Sequence, residues 1–369
     1  MLPDAGGTAC LCSALMYTTA MAEPRIAVVG AGANGASIGA DLTRAGRDVT
    51  LIEQWPAHVE AMRRAGIRIN QPSGARTTAV RALHVCEVAT LREMFDIVFI
   101  VVKAYDTRWS CELIAPRVAP DGVVVGLQNG ITTDDIASVV GAERSLGAVI
   151  EIAANMFKPG VVERQTGPEA TWFNLGSPDG ASATHVEPVA AVLRAAGAVE
   201  VTEDINSAKW MKLVGNAAEF LPSAILDLTL VDAMRTPGIR ELADAAGREA
   251  FAVGLARGHR MVPLFGSADL EQHGAETYSV AVLDAILDGW SLPDTRVALL
   301  QDWVKGRRGE GEDINGLVVT EGARLGIATP VNEVLVDFSR RIERGALTRG
   351  LANVEPLIAA ARDARAACV

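Results

Sequence analysis

Residues 25–53 read RIAVVGAGANGASIGADLTRAGRDVTLIE, and their order decides the fold. Arg25–Val29 is a short apolar, β-branched run of the kind buried on both faces of a parallel sheet. It runs into Gly30-Ala31-Gly32-Ala33-Asn34-Gly35, a G-x-G-x-x-G. An alanine- and leucine-rich helix is expected from there to about Ala45, ended by Gly46. A second strand, Asp48–Ile52, then delivers Glu53. A glycine-rich turn alone says little, but strand, turn, helix, strand and terminal acid in this order describe a dinucleotide site. Gly30 would permit the tight turn, Gly32 the close approach of a pyrophosphate, and Gly35 the packing of helix on strand. The pyrophosphate would sit at the helix N-terminus, by Ala33 and Asn34, where free N–H groups and the helix dipole favour an anion. Glu53, 23 residues after Gly30, stands where an acid meets the adenosine ribose. A carboxylate there accepts bonds from both ribose hydroxyls and repels a 2′-phosphate, so NAD(H) is favoured over NADP(H). The alternative for Glu53 is an ordinary solvated acid at a strand end.

The whole chain sets bounds on this reading. Its 369 residues suggest two domains. With 49% hydrophobic and 21% charged residues it can build a large core. A net charge of −11 argues against nucleic acid and anionic membranes as partners. An anionic substrate stays open, because a pocket can be basic on an acidic protein. The five cysteines (Cys10, Cys12, Cys86, Cys111, Cys368) fit neither a disulfide framework nor a zinc site. Reduced thiols in the cytoplasm and no bound metal are expected. No apolar run approaches the ~18 residues needed to span a bilayer. Residues 1–21 lack the basic start of a secretory signal and are read as an extension of uncertain origin.

Beyond Glu53, a helix is expected over Pro56–Ala65, then short strands at Ile67–Asn70 and Ala75–Leu83 around the turn Pro72-Ser73-Gly74. Asp96–Val102 is a buried strand ending in Lys103, followed by a helix from Thr107. Gly122–Leu127 is another, ending in Gln128-Asn129-Gly130, with a helix from Thr133. More strands are expected in 146–174, a helix over 187–196 and a strand over 198–202. This alternation predicts an α/β domain with a parallel, doubly wound sheet over residues 22–203. From Asp204 the β-branched runs stop and helical spacing takes over, so residues 204–369 are read as an all-helical domain. Ligands of such sheets bind beyond the carboxyl ends of the strands, which singles out Lys103 and Asn129. Each also has a plainer reading, as a solvated strand-end charge and as a turn residue.

In Ile205–Phe220, Lys212 and Asn216 are four apart and share a helix face. Trp210, Met211, Leu213 and Val214 surround Lys212, and a desolvated lysine there would be a proton donor near neutral pH. The competing reading is a lysine snorkelling along an amphipathic helix. Lys209 is expected to be the solvated one. Glu310, Glu312 and Asp313 form an acidic cluster beside Arg307 and Arg308, and such clusters are usually solvated loops.

Five segments in order resemble the ketopantoate reductase family: GAGANG (30–35), VVKA (101–104), LQNG (127–130), KWMKLVGNAA (209–218) and GRRGEGEDINGL (306–317). The resemblance runs over nearly the whole chain from Arg25. It implies a Rossmann domain followed by an all-helical domain, with the active site in the cleft between them. It also implies hydride transfer from a nicotinamide to the keto carbon of a small 2-oxo acid, giving a D-2-hydroxy acid, and a homodimer through the helical domain. Matched position by position, Lys212 is the proton-donating lysine and Asn216 a substrate-contacting asparagine. Glu310 is the glutamate that completes the site and helps orient the lysine. Asn129 contacts cofactor and substrate, and Lys103 is the lysine of the strand-end motif.

Departures from the family pattern bear on the substrate. Where the family has asparagine after the catalytic helix this chain has Phe220, and where it has serine before Gln301-Asp302 this chain has Ala298. Gln54 stands where many members carry an arginine suited to NADP. A pocket with less polar lining should suit a less polar 2-oxo acid. The rivals are the family's named activity, NADPH-dependent reduction of 2-dehydropantoate, and a non-catalytic dinucleotide sensor.

Overall fold

The computed structural model describes residues 23–368, so the expected extension and Cys10 and Cys12 lie outside the described residues. Among the described residues there are twelve strands. In order they are β1 (Arg25–Val29), β2 (Asp48–Glu53), β3 (Ile67–Asn70), β4 (Arg76–Thr78), β5 (Arg81–His84), β6 (Phe95–Ile100), β7 (Val118–Leu127), β8 (Ser145–Glu151), β9 (Ala154–Lys158), β10 (Val161–Arg164), β11 (Trp172–Gly176) and β12 (Ala198–Val201). The helices between them are α1 (Ala33–Arg44), α2 (Pro56–Ala65), α3 (Thr107–Ile114), α4 (Thr133–Val140) and α5 (Val186–Leu193).

Eight strands form the main sheet in the order β12-β11-β8-β7-β6-β1-β2-β5. The six from β8 to β5 are parallel. β11 runs antiparallel to β8 and carries β12 with it, so the sheet is mixed at one edge. The apolar runs read from the sequence become its centre, with Val28, Val98, Phe99 and Val124 fully buried. The expected strand over Ala75–Leu83 is in fact two. β4 pairs with β3, β5 pairs with β2, and Ala79-Val80 carry the chain from one sheet to the other.

β4, β3, β10 and β9 make a second, four-stranded sheet, separate from the doubly wound one expected. Two buried side chains lock it to the main sheet. Arg164 on β10 donates to Asp41 on α1 at 2.5 Å and to the Thr166 carbonyl at 2.6 Å. His58 on α2 accepts the Gly160 amide at Nδ1 (2.8 Å), which leaves Nε2 to donate to the Ala31 carbonyl at 2.9 Å. The Gly30–Gly35 turn is therefore braced from below.

From residue 205 the described chain is helical: α6 (Ile205–Ile225), α7 (Leu230–Arg235), α8 (Ile239–Ala256), α9 (Tyr278–Trp290), α10 (Ala298–Val304), α11 (Asn315–Leu325), α12 (Pro330–Glu343) and α13 (Val354–Ala366). α6 is the spine. Asp204 caps it by accepting the Ser207 amide at 3.0 Å. Every residue of α6 except Asn206 is buried, because α8, α9, α10 and α12 surround it and β8 meets it from the other domain. A helix apolar on all sides belongs in such a place. The polar residues it carries there need a separate reason.

Candidate active site

A cavity of about 270 Å³ opens where the carboxyl ends of β1, β2, β6, β7 and β8 face α6 and α10. Of the residues singled out by sequence, Gly30, Gly32, Ala33, Asn34, Glu53, Lys103, Asn129, Lys212, Asn216, Phe220, Ala298 and Glu310 line it. Gly35 does not. It packs α1 on the strand end, where an added Cβ would stand 2.0 Å from the Gly30 carbonyl oxygen. Gly30 itself has φ +92°, in the left-handed region that favours glycine.

The first half of the cavity fits a dinucleotide. Gly32 begins α1 with no side-chain capping bond, so the first N–H groups of the helix are not taken up by a cap. Glu53 is 7% exposed and accepts the Trp55 amide at 2.9 Å, so it is not an ordinary solvated acid. Gln54 lines the cavity beside it. A cation expected in a solvated loop also arrives here. Arg307 of the helical domain lines the same cavity, with its guanidinium 5.9 Å from the Trp55 ring centre.

Arg307 belongs to a segment, residues 305–310, strapped across the domain boundary. The Ala104 amide and the Lys103 ammonium each donate to Glu310 at 3.0 Å. Lys103 also pairs with Asp302 at 2.6 Å. Tyr105 donates to the Arg308 carbonyl at 3.0 Å, and Lys305 lies 4.9 Å from the Phe157 ring centre. Burial pulls the Lys103 pKa down, but Glu310 and Asp302 overcome it and hold it above its ordinary value. Lys103 is thus a clamped cation, not a solvated strand-end charge. Glu310 is spent on Lys103 and Ala104, which corrects the expectation that it orients Lys212.

Lys212 has a different partner. Its ammonium pairs with Glu151 at the end of β8 and lies 5.0 Å from the Phe265 ring centre. The lysine is 6% exposed, so a snorkelling side chain is excluded. Glu151 could have been found by the same strand-end rule that picked out Lys103 and Asn129. Neither Nδ2 nor Oδ1 of Asn216, one turn on, has a hydrogen-bond partner among the described residues, though both atoms are buried. Glu219, a further turn along, also lines the cavity. Burial pushes its carboxyl up to about 7; Lys212 pulls the other way and Glu151 adds to the rise.

Lys209 reverses its expectation. It is 3% exposed and donates to the Gln128 and Ala148 carbonyls at 3.0 and 3.2 Å. It ties α6 to the ends of β7 and β8 and does not line the cavity. With no carboxylate beside it, burial lowers its pKa to about 8.

Phe220, Leu230, Ile286, Trp290 and Ala298, the first residue of α10, give the cavity an apolar stretch of wall, with Arg296 just ahead of that helix. Among the described residues no group of three or more His, Cys, Asp or Glu could hold a metal, and no helix is long and apolar enough to cross a membrane.

Both halves of the chain match models of one known family. The model for ketopantoate reductase PanE/ApbA matches residues 26–178, and that for its C-terminal part matches residues 204–343. The chain is 32% identical over 328 residues to a 2-dehydropantoate 2-reductase of Archaeoglobus fulgidus, covering 88% of this chain and 100% of that one. A crystal structure of a PanE/ApbA family ketopantoate reductase from Ralstonia eutropha is similar at TM-score 0.74 and 29% identity, over 87% of this chain and 99% of that one. A D-mandelate dehydrogenase in ternary complex with NADH and anilino(oxo)acetate shares the fold at TM-score 0.78, with 21% identity over 87% of this chain and 99% of that one.

Proposed function

Because this chain belongs to the ketopantoate reductase family, and with it to the nicotinamide-dependent oxidoreductases that act on a keto group, we propose that it reduces a 2-oxo acid to the D-2-hydroxy acid, with NADH favoured and a substrate less polar than 2-dehydropantoate. The Gly30–Asn34 turn, Glu53, Lys103 and Asn129 would hold the dinucleotide. When bound, the nicotinamide supplies the hydride for the keto carbon. The residues of this chain govern the oxygen. Lys212 presents its ammonium where negative charge grows and passes one Nζ proton to the alkoxide. Glu151 and the Phe265 ring fix that ammonium in place. Asn216 offers a donor and an acceptor to the substrate from the same helix face.

One observation carries this reading: Lys212 and Asn216 open into the cavity that the dinucleotide turn also lines. The cofactor preference rests on Glu53, which is buried at that cavity beside Gln54. The substrate preference rests on Phe220 and Ala298, which bring no polar side-chain group to the wall. The test is the rate of NADH and NADPH oxidation with 2-oxo acids from 2-dehydropantoate to branched and aromatic ones. NADH with a bulky apolar acid supports the proposal, and no turnover with any 2-oxo acid refutes it.

A second reading has its own observation. Arg307 reaches the cavity near Trp55 from the helical domain, so a 2′-phosphate would meet a cation there even without an arginine at position 54. NADPH-dependent reduction of 2-dehydropantoate, the activity named for the Archaeoglobus relative, is that reading, and the same panel separates the two. Family membership also supports a homodimer through the helical domain, which sedimentation would test.

A further inference from the structure

Glu219 is seven residues after Lys212, so Lys212, Asn216 and Glu219 stand on one face of α6 and all line the cavity. It is 5% exposed and lines the cavity, and among the described residues the opposite charge acting on it is Lys212. Buried carboxylates are normally held by several donors. This one has a single cation acting on it, and that cation, Lys212, is already paired with Glu151. Two carboxylates therefore share one ammonium. A 2-oxo acid entering between them would bring a further negative charge into a wall of Phe220, Ile286 and Trp290. Ionised Glu219 and an anionic substrate could coexist there only at high energy.

Protonation resolves the conflict, and Glu219 is the group to take the proton, because the Lys212 ammonium is paired with Glu151 and not with it. We propose that Glu219 picks up one proton from solvent when the anionic substrate binds, and donates that O–H to the substrate. The proposal rests on the 2-oxo acid reading. Glu219 is the residue immediately after the 209–218 segment that carries part of the family resemblance. Its electrostatic neighbours are Lys212 on its own helix and Glu151 from β8. Arg296, ahead of α10, and the Lys103–Asp302–Glu310 cluster line the same cavity. Burial leaves the free carboxyl at about 7, so the linkage falls in an accessible pH range.

The test uses oxamate, an unreactive 2-oxo acid analogue, binding to the full-length enzyme with NADH already bound. For wild type, Kd should be flat below about pH 7 and weaken about tenfold per pH unit above it. Glu219→Gln keeps a donor at all pH values, so its Kd should stay flat to pH 9. Calorimetry at pH 8 in two buffers of different ionisation enthalpy should read about one proton taken up by wild type and none by the variant. A merely structural Glu219 would move neither readout. The proposal is overturned if Glu219→Gln follows the wild-type pH profile, or if wild type takes up no proton. Should the variant fail to fold, the wild-type calorimetry decides alone. pH-independent binding refutes only the role of Glu219. Absence of oxamate binding at every pH, with no 2-oxo acid turned over, refutes the 2-oxo acid reading and this proposal together.

Discussion

Lys103 and Glu310 meet at 3.0 Å although 207 residues of chain separate them. The pair joins the end of β6 to the segment after α10, so it fastens the two domains over the cavity they share. Glu310→Gln removes the charge but leaves Asp302 on Lys103. The expected loss is about 2 kcal/mol of stability, with a fall in kcat/KM as the domain boundary loosens. Urea unfolding and steady-state kinetics measure both. Unchanged stability would mean that Asp302 holds the clamp unaided.

Lys209 makes a pH-dependent prediction. Its pKa is about 8 in the folded protein and about 10.4 when unfolded. Between those values the unfolded chain holds a proton that the folded one has released, so stability rises with pH across that window. Below pH 8 both states are protonated and the burial penalty is felt in full. Lys209→Met has no such proton. Wild type should gain about 2 kcal/mol on the variant between pH 8 and pH 10. Parallel unfolding curves across that range would show that Lys209 does not titrate in the fold.

Lys212→Ala should lower kcat/KM about 100- to 10,000-fold, the range of a positioned proton donor. NADH affinity, followed by its fluorescence, should stay within about twofold. If turnover survives, the proton reaches the alkoxide by another route.

Glu53 and Arg307 set opposing charges at the dinucleotide end. Glu53→Gln should raise the NADPH-to-NADH ratio of kcat/KM by about tenfold, or ~1.4 kcal/mol. Arg307→Ala should weaken NADPH and leave NADH nearly unchanged. Equal effects on both cofactors would place Arg307 away from a 2′-phosphate.

The strand-turn-helix-strand unit of residues 25–53 was legible because its signals are local: β-branched runs, glycine punctuation and an acid at a strand end. Lys212 and Asn216 were legible as a pair because helical spacing alone puts them on one face. Partners were not. Glu151 finds Lys212 only when β8 docks on α6, and Glu310 finds Lys103 only when the helical domain closes on the sheet. Lys209 was misjudged for a related reason. Both lysines of α6 lie in apolar surroundings, and what separates them is the acceptor each meets: backbone carbonyls for Lys209, a carboxylate for Lys212. The break between β4 and β5 was hidden because two short strands in one run look alike until each has a neighbour to pair with.

His58 has a consequence for how the protein is made. Its ring bonds the Ala31 carbonyl on one side and the Gly160 amide, 102 residues later, on the other. A nascent chain that has released residues 25–53 from the ribosome carries the entire glycine motif, yet lacks the brace beneath it. The floor of the cofactor site is finished only when the β9–β10 turn arrives, and a long-range closure of that kind is slow compared with the local folding of α1. The glycine motif is thus braced only once Gly160 has emerged, well after the residues that name the motif.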